Sequence, residues 1–332
     1  MGRRSFARTI ALLVTATLVV AACGGVGGPG GGASPLTRPA EFVISTSPGG
    51  GSDIYARFWI GIVESEGLTN QPLQPVNREG GAGAVAFNSV FERTGDPHVI
   101  MVTLNSFFLT MAIQDLPYQA LDFTPIANIA FDPFFLWVHA DSDYQTVEDF
   151  LAEARTRSIV VIGTGSRQED ELLFLQIQEA AGTMPFSFIP ETGGGLVAAA
   201  LAGQQGGVEA TVNNPAEGLP HFPDSLRPLC AFLDESPSEG AFEGVPTCQD
   251  EGLDVEPYFN TRAVFAPPGL TPEAQEYWVE VFRRVSESQT WQDFVEEQAL
   301  VSDFRSGEEF RQLVEELDAL HREIAEANGW IE

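Results

Sequence analysis

The chain has 332 residues, with 47 aspartates and glutamates against 17 basic side chains, all of them arginine, for a formal net charge of −30. So acidic a surface excludes nucleic acid as a partner, because phosphate binding needs clustered positive charge, and the absence of lysine excludes a Walker A loop. The length is one at which a single core usually gives way to two domains.

The N-terminus carries Arg3, Arg4 and Arg8 and no acidic residue, followed by an uncharged apolar stretch over 9–22. That stretch is too short for a membrane span, which needs about 20 residues, and has the form of a secretory signal. It closes on Val20-Ala21-Ala22-Cys23, a lipobox, so residues 1–22 are expected to be removed and Cys23 lipidated. Arg3-Arg4-Ser5-Phe6 also fits a twin-arginine signal, and both export routes stay open. A glycine-rich run follows, and 23–39 is expected to be a flexible tether that attaches the protein to the membrane without making it a membrane-spanning one. The acidity and missing lysine fit a salt-rich setting and a GC-rich codon bias equally.

Beyond the tether, β-rich and helical runs alternate. Strands are expected at 42–46, 99–103, 134–139, 159–163, 208–213 and 263–266, with a weaker one at 73–76. Helices are expected at 53–64, 147–156, 171–181, 196–202, 272–287 and 307–327. In the last, Phe310, Leu313, Leu317, Leu320 and Ile324 form the apolar stripe. The alternation predicts an α/β fold with largely parallel sheets. Ligands in such folds collect where strands end and helices begin. Two of these junctions are rich in glycine and hydroxyls: Pro48-Gly49-Gly50-Gly51-Ser52-Asp53 and Gly163-Thr164-Gly165-Ser166. Each presents backbone N–H groups at the positive end of a helix, an anion site that needs no lysine. Each also reads as a tight turn, with Ser52 or Asp53 and Ser166 as N-caps.

Cys230 and Cys248 flank a loop rich in Ser, Pro, Glu and Gly, and outside the cytoplasm the pair is expected to form a disulfide rather than two free thiols. His98, His139, His221 and His321 fall in no metal-ligand spacing. Gly81-Ala82-Gly83-Ala84-Val85-Ala86 imitates a dinucleotide fingerprint without a βαβ setting. No metal or cofactor is expected, and no catalytic pair stands out among so many carboxylates.

The ordered set Pro48-Gly49-Gly50-Gly51-Ser52-Asp53 with Ala56-Arg57, Val76-Asn77-Arg78-Glu79-Gly80-Gly81-Ala82-Gly83, Pro117-Tyr118, Asp122-Phe123-Thr124-Pro125-Ile126-Ala127, Gly163-Thr164-Gly165-Ser166, Val245-Pro246-Thr247 and Glu251-Gly252 resembles the receptors of tripartite tricarboxylate transporters, the Bug family. The resemblance spans almost the whole chain after the signal. It implies a two-lobed, type II periplasmic-binding-protein (Venus-flytrap) fold, with 40–137 plus 264–332 as lobe 1 and 138–263 as lobe 2. It further implies that Gly50, Gly51, Ser52 and Asp53 face a ligand carboxylate from one lobe, and Thr164, Gly165 and Ser166 from the other. Thr192, Gly193 and Asn214 complete the expected set. The chain departs from the family at Pro190-Glu191-Thr192-Gly193, which lacks the family's aromatic and lysine, and at Glu171, where a histidine is common. These changes point away from tricarboxylates towards a mono- or dicarboxylate, or a zwitterion whose amine meets Glu191.

The expected activity is capture of a small carboxylate or zwitterion by lobe closure, with no bond made or broken, and delivery to an integral-membrane transporter by a lipid-anchored, extracytoplasmic monomer. A sensor of the same fold docking on a membrane kinase is the alternative, and a lipid-anchored hydrolase a third reading.

Overall fold

The computed structural model describes residues 34–331; the signal segment, Cys23 and the glycine run lie outside the described residues. The chain builds most of one lobe first: β1 (Ala40–Ile44), α1 (Gly51–Ser65), β2 (Leu73–Asn77), α2 (Ala84–Phe91), β3 (Val99–Thr103), α3 (Ser106–Ile113) and β4 (Thr124–Pro133). It then crosses into β5 (Phe135–His139), α4 (Val147–Ala154), β6 (Val160–Thr164), α5 (Glu169–Ala181), β7 (Ser187–Glu191), α6 (Gly194–Ala202), β8 (Ala210–Asn213), α7 (Pro215–Gly218) and β9 (Leu226–Ala231). It returns through β10 (Phe259–Ala266) to α8 (Pro272–Glu287), α9 (Gln289–Glu297), β11 (Val301–Ser306) and α10 (Gly307–Ala327).

Six strands form the first sheet, in the order β11-β4-β10-β3-β1-β2, and five the second, in the order β7-β6-β8-β5-β9. The βα units pair in parallel, β1 with β2 and β3, and β6 with β7 and β8. The sheets are nevertheless mixed. β10 runs antiparallel to β3 and β4, and β5 antiparallel to β8 and β9, so the expectation of largely parallel sheets holds only for part of each. The reason is topological: a strand entering from the other lobe arrives in the reverse direction.

The lobe boundaries lie earlier than 137/138 and 263/264. β4 ends the first sheet at Pro133 and β5 opens the second at Phe135, so the outward crossing is at Phe134. On the return, Phe259 already pairs with Pro133, which places the two crossings side by side. Residues 34–39, expected as tether, lie against the first lobe: Leu36 is buried, and Arg38 forms an ion pair with Asp96.

Local chemistry explains the best-defined helices. Thr271 caps α8 by accepting from the Ala274 N–H, with Pro272 in the first turn. Thr146 and Asp149 form a reciprocal capping box on α4. Apolar clusters cover both faces of each sheet, α1, α8 and α9 on one face of the first, α2, α3 and α10 on the other. The buried seam of α10 runs through Phe310, Leu313, Val314, His321 and Ala325, whereas Leu320 is exposed. His321 stacks on Phe108 of α3, and burial pushes its pKa down to about 4, a core histidine held neutral.

Cys230 and Cys248 are bonded, closing a loop across a sequence separation of 18. In the chain-entropy picture a loop of that size contributes about 3 kcal/mol. The double variant Cys230→Ser/Cys248→Ser should therefore unfold at lower urea by about that free energy. An unchanged midpoint would show that the bridge adds nothing beyond the packing around it.

Candidate functional site

Between the lobes lies a cavity of about 300 Å³. The glycine-rich junctions predicted from sequence meet there. Gly51 and Ser52 line it from the start of α1, and Thr164, Gly165 and Ser166 from the turn after β6. Thr192 and Gly193, before α6, and Asn214, before α7, line it too. Gly50 and Asp53 lie outside its wall. The Gly50 N–H donates to the Ser47 carbonyl, and Gly50 is the N-cap of α1. The Asp53 carboxylate turns back into its own lobe. It accepts from the Gly49 N–H at 3.0 Å, Arg57 Nε at 2.8 Å and Asn77 Nδ2 at 3.0 Å. Burial raises its pKa, but these bonds outweigh burial and hold it below the ordinary range. Asp53 thus shapes the loop that presents Gly51 and Ser52. Nor does Ser166 cap α5, whose N-cap is Gln168.

The cleft is closed, with glycine backbones of the two lobes in close approach. A Cβ at Gly193 would come within 2.3 Å of Ser47 Oγ, and one at Gly195 within 2.4 Å of the Gly49 carbonyl oxygen. Glu217, on the first turn of α7 in lobe 2, reaches across to accept from the Gly51 N–H at the N-terminus of α1. A side chain of the protein thus sits on part of the anion site that the first glycine loop was expected to reserve for a ligand. Gly194 makes this possible, since a Cβ there would fall 2.0 Å from Glu217 Oε2. In the second loop the Asp170 carboxylate likewise takes the Thr164 N–H at 2.7 Å and the Thr164 hydroxyl at 2.9 Å.

The dominant cation is Arg262 on β10, which sequence reasoning missed because the strand was begun one residue later. The residue is 1% exposed, yet lines the cavity. Nε and Nη2 donate to the Asp132 carboxylate, Nη2 also to Asn214 Oδ1 at 3.1 Å, and the group lies 4.4 Å from the centroid of the Tyr55 ring. Nη1 has no hydrogen-bond partner among the described residues, and neither has the Ser52 hydroxyl. A buried donor left without an acceptor is costly. A carboxylate beside them would supply the acceptors that both lack.

Glu169, Asp170 and Glu217 were also missed as lining residues. Burial pushes Glu169 and Asp170 up to about 7 and Glu217 up to about 8, with the charge of Arg262 opposing the rise at Glu169 and Glu217. Glu171, by contrast, lies outside the cavity and accepts from the Arg167 N–H. Glu191 lines the cavity, but its Oε1 is folded back onto the N–H and hydroxyl of Thr192. Among the described residues no group of three or more His, Cys, Asp or Glu could hold a metal ion, and no helix is long and apolar enough to cross a membrane.

Residues 62–329 match the family described as tripartite tricarboxylate transporter family receptor. The chain is 23% identical over 265 residues to Protein BugT of Bordetella pertussis, covering 76% of this chain and 77% of that one. It superposes on MatC of Rhodopseudomonas palustris with bound malate at a TM-score of 0.74, with 20% identity over 87% of this chain and 99% of that one. An R. palustris protein with adipate aligns at a TM-score of 0.77, with 22% identity over 89% of this chain and 99% of that one. The two-lobed architecture is therefore that of the periplasmic binding proteins of this group, and the chain belongs to the tripartite tricarboxylate transporter receptor family, whose members are solute-binding receptors and not enzymes.

Proposed function

We propose that this receptor, lipid-anchored through Cys23 on the outer side of the cell membrane, captures a small carboxylate-bearing solute by lobe closure and hands it to the integral-membrane subunits of a tripartite tricarboxylate transporter. The observation that carries the reading is that Arg262 Nη1 and the Ser52 hydroxyl, both of residues that line the interlobe cavity, are buried donors without partners among the described residues. Ser52 brings the α1 N-terminus to the carboxylate, beside the Gly51 N–H that Glu217 holds; Thr164, Gly165, Ser166, Thr192, Gly193 and Asn214 surround the rest of the solute. Relatives of the same fold hold malate and adipate. Closure follows from differential affinity: a solute that touches both lobes binds the closed form better and shifts the population towards it.

A thermal-shift panel of mono-, di- and tricarboxylates, amino acids and neutral sugars tests the reading. An acid present at 100 times its Kd adds about 2.7 kcal/mol, a rise of a few degrees for a chain of this size. Neutral sugars should give none. A panel in which sugars stabilise and acids do not would remove the carboxylate from the account.

A further inference from the structure

The cavity has one guanidinium and a surplus of acid. Arg262 is its cation, and Asp132 already neutralises it. Facing it are Glu79, Glu169, Asp170, Glu191 and Glu217. Glu169, Asp170 and Glu217 are more than nine-tenths buried. Asp170 and Glu217 each hold backbone donors, as described above, and the Ser106 N–H also favours the ionised Glu169 carboxylate, but Glu169 Oε1 itself has no hydrogen-bond partner among the described residues. The same is true of Oε1 of its neighbour Gln168, which is 5% exposed and lines the same wall. One oxygen of each of two adjacent buried side chains at the N-terminal end of α5 thus lacks a donor. The cavity's other unpartnered groups, Arg262 Nη1 and the hydroxyls of Ser45, Thr46 and Ser52, can all donate.

An unmatched buried acceptor is costly, and more so when it is charged. A plain dicarboxylate cannot relieve the wall at Glu169 and Gln168. It brings further acceptors and negative charge to a place that already has too much of both. A protonated amine brings N–H donors and the missing positive charge together. We infer that the solute is a zwitterion, with its carboxylate on Arg262, Ser52 and the α1 N-terminus and its ammonium on Glu169 Oε1 and Gln168 Oε1. This rests on the carboxylate-receptor reading and narrows it to amine-bearing acids. It also moves the amine from Glu191, whose carboxylate is engaged by Thr192, to Glu169. Burial leaves Glu169 titrating at about 7, so a nearby ammonium favours its ionised form.

Matched acids that differ only by the amine make the test: succinate against aspartate, glutarate against glutamate, and butanoate against 4-aminobutanoate. Each is titrated calorimetrically into the full chain after carried-over solute has been removed by unfolding and refolding. In at least one pair the aminated member should bind ten or more times tighter. Glu169→Gln should shrink that ratio towards one, whereas Glu171→Gln, outside the cavity, should leave it in place. Plain acids that bind as well as or better than their aminated partners would overturn the inference and leave the carboxylate receptor standing. A ratio that survives Glu169→Gln would also overturn the assignment to this wall. Binding by none of the six acids would sink both readings.

Discussion

Gly195→Leu should hold the lobes apart and weaken solute binding by roughly one to two orders of magnitude. Gly195 lies in the first turn of α6, and a Cβ there would stand 2.4 Å from the carbonyl oxygen and 3.0 Å from the carbonyl carbon of Gly49 in the opposite lobe. Both obstructing atoms are backbone, so no side-chain rotation clears the way. Overpacking at a tight contact costs about 1–3 kcal/mol, and here opening the cleft escapes the clash. The cost therefore falls on the closed state, and apparent affinity drops with the fraction of closed molecules. Scattering should give a larger radius of gyration that saturating solute only partly reverses, while the far-UV spectrum stays that of the parent. A variant that compacts and binds like the parent would show that this approach of backbones does not limit closure.

The two glycine loops were legible from sequence because their chemistry is local. Glycine, a hydroxyl and a helix start within six residues dictate N–H groups that need an acceptor from outside the helix, here supplied in part by Glu217 and Asp170. Helix α8 was legible for the same reason, through Thr271, Pro272 and an amphipathic period. What the sequence hid were residues whose meaning depends on a distant partner. Arg262 interrupts a strand as an apparent outsider, and only Asp132, 130 positions away, makes it a core residue. Glu217 looks like any acid on a short helix until Gly51, 166 positions away, donates to it across the cleft. β4 was missed because its prolines and polar residues disguise a strand that both neighbours cover. The α10 stripe drifted after Leu313: Leu317 and Ile324 are only half-buried and Leu320 is exposed, whereas Val314, His321 and Ala325 are buried. The helix packs on α3 through the stack with Phe108, and that contact selects the histidine.

Arg262→Leu should cost about 3–5 kcal/mol of stability, because it leaves the fully buried Asp132 without its counter-charge. It should also abolish measurable binding of carboxylates. Adding Asp132→Asn separates the two effects. Replacing both members of a buried ion pair by neutral groups is often close to neutral for stability, so the double variant should regain most of the lost denaturation midpoint and none of the binding. A double variant that binds like the parent would remove Arg262 from the solute site. The single variant carries its own signature in pH. Burial pushes the Asp132 carboxyl up, and the Arg262 charge is the first force opposing that rise. Without it the folded variant keeps a proton that the unfolded chain releases above about pH 4. A group whose pKa is raised by folding stabilises below its unfolded value and loses that contribution as pH rises through its folded one. The deficit of Arg262→Leu should therefore be smallest in acid and widen towards neutral pH. A deficit that stays flat from pH 4 to pH 8 would mean that Asp132 remains ionised in the variant, reached by solvent or another donor once the guanidinium is gone.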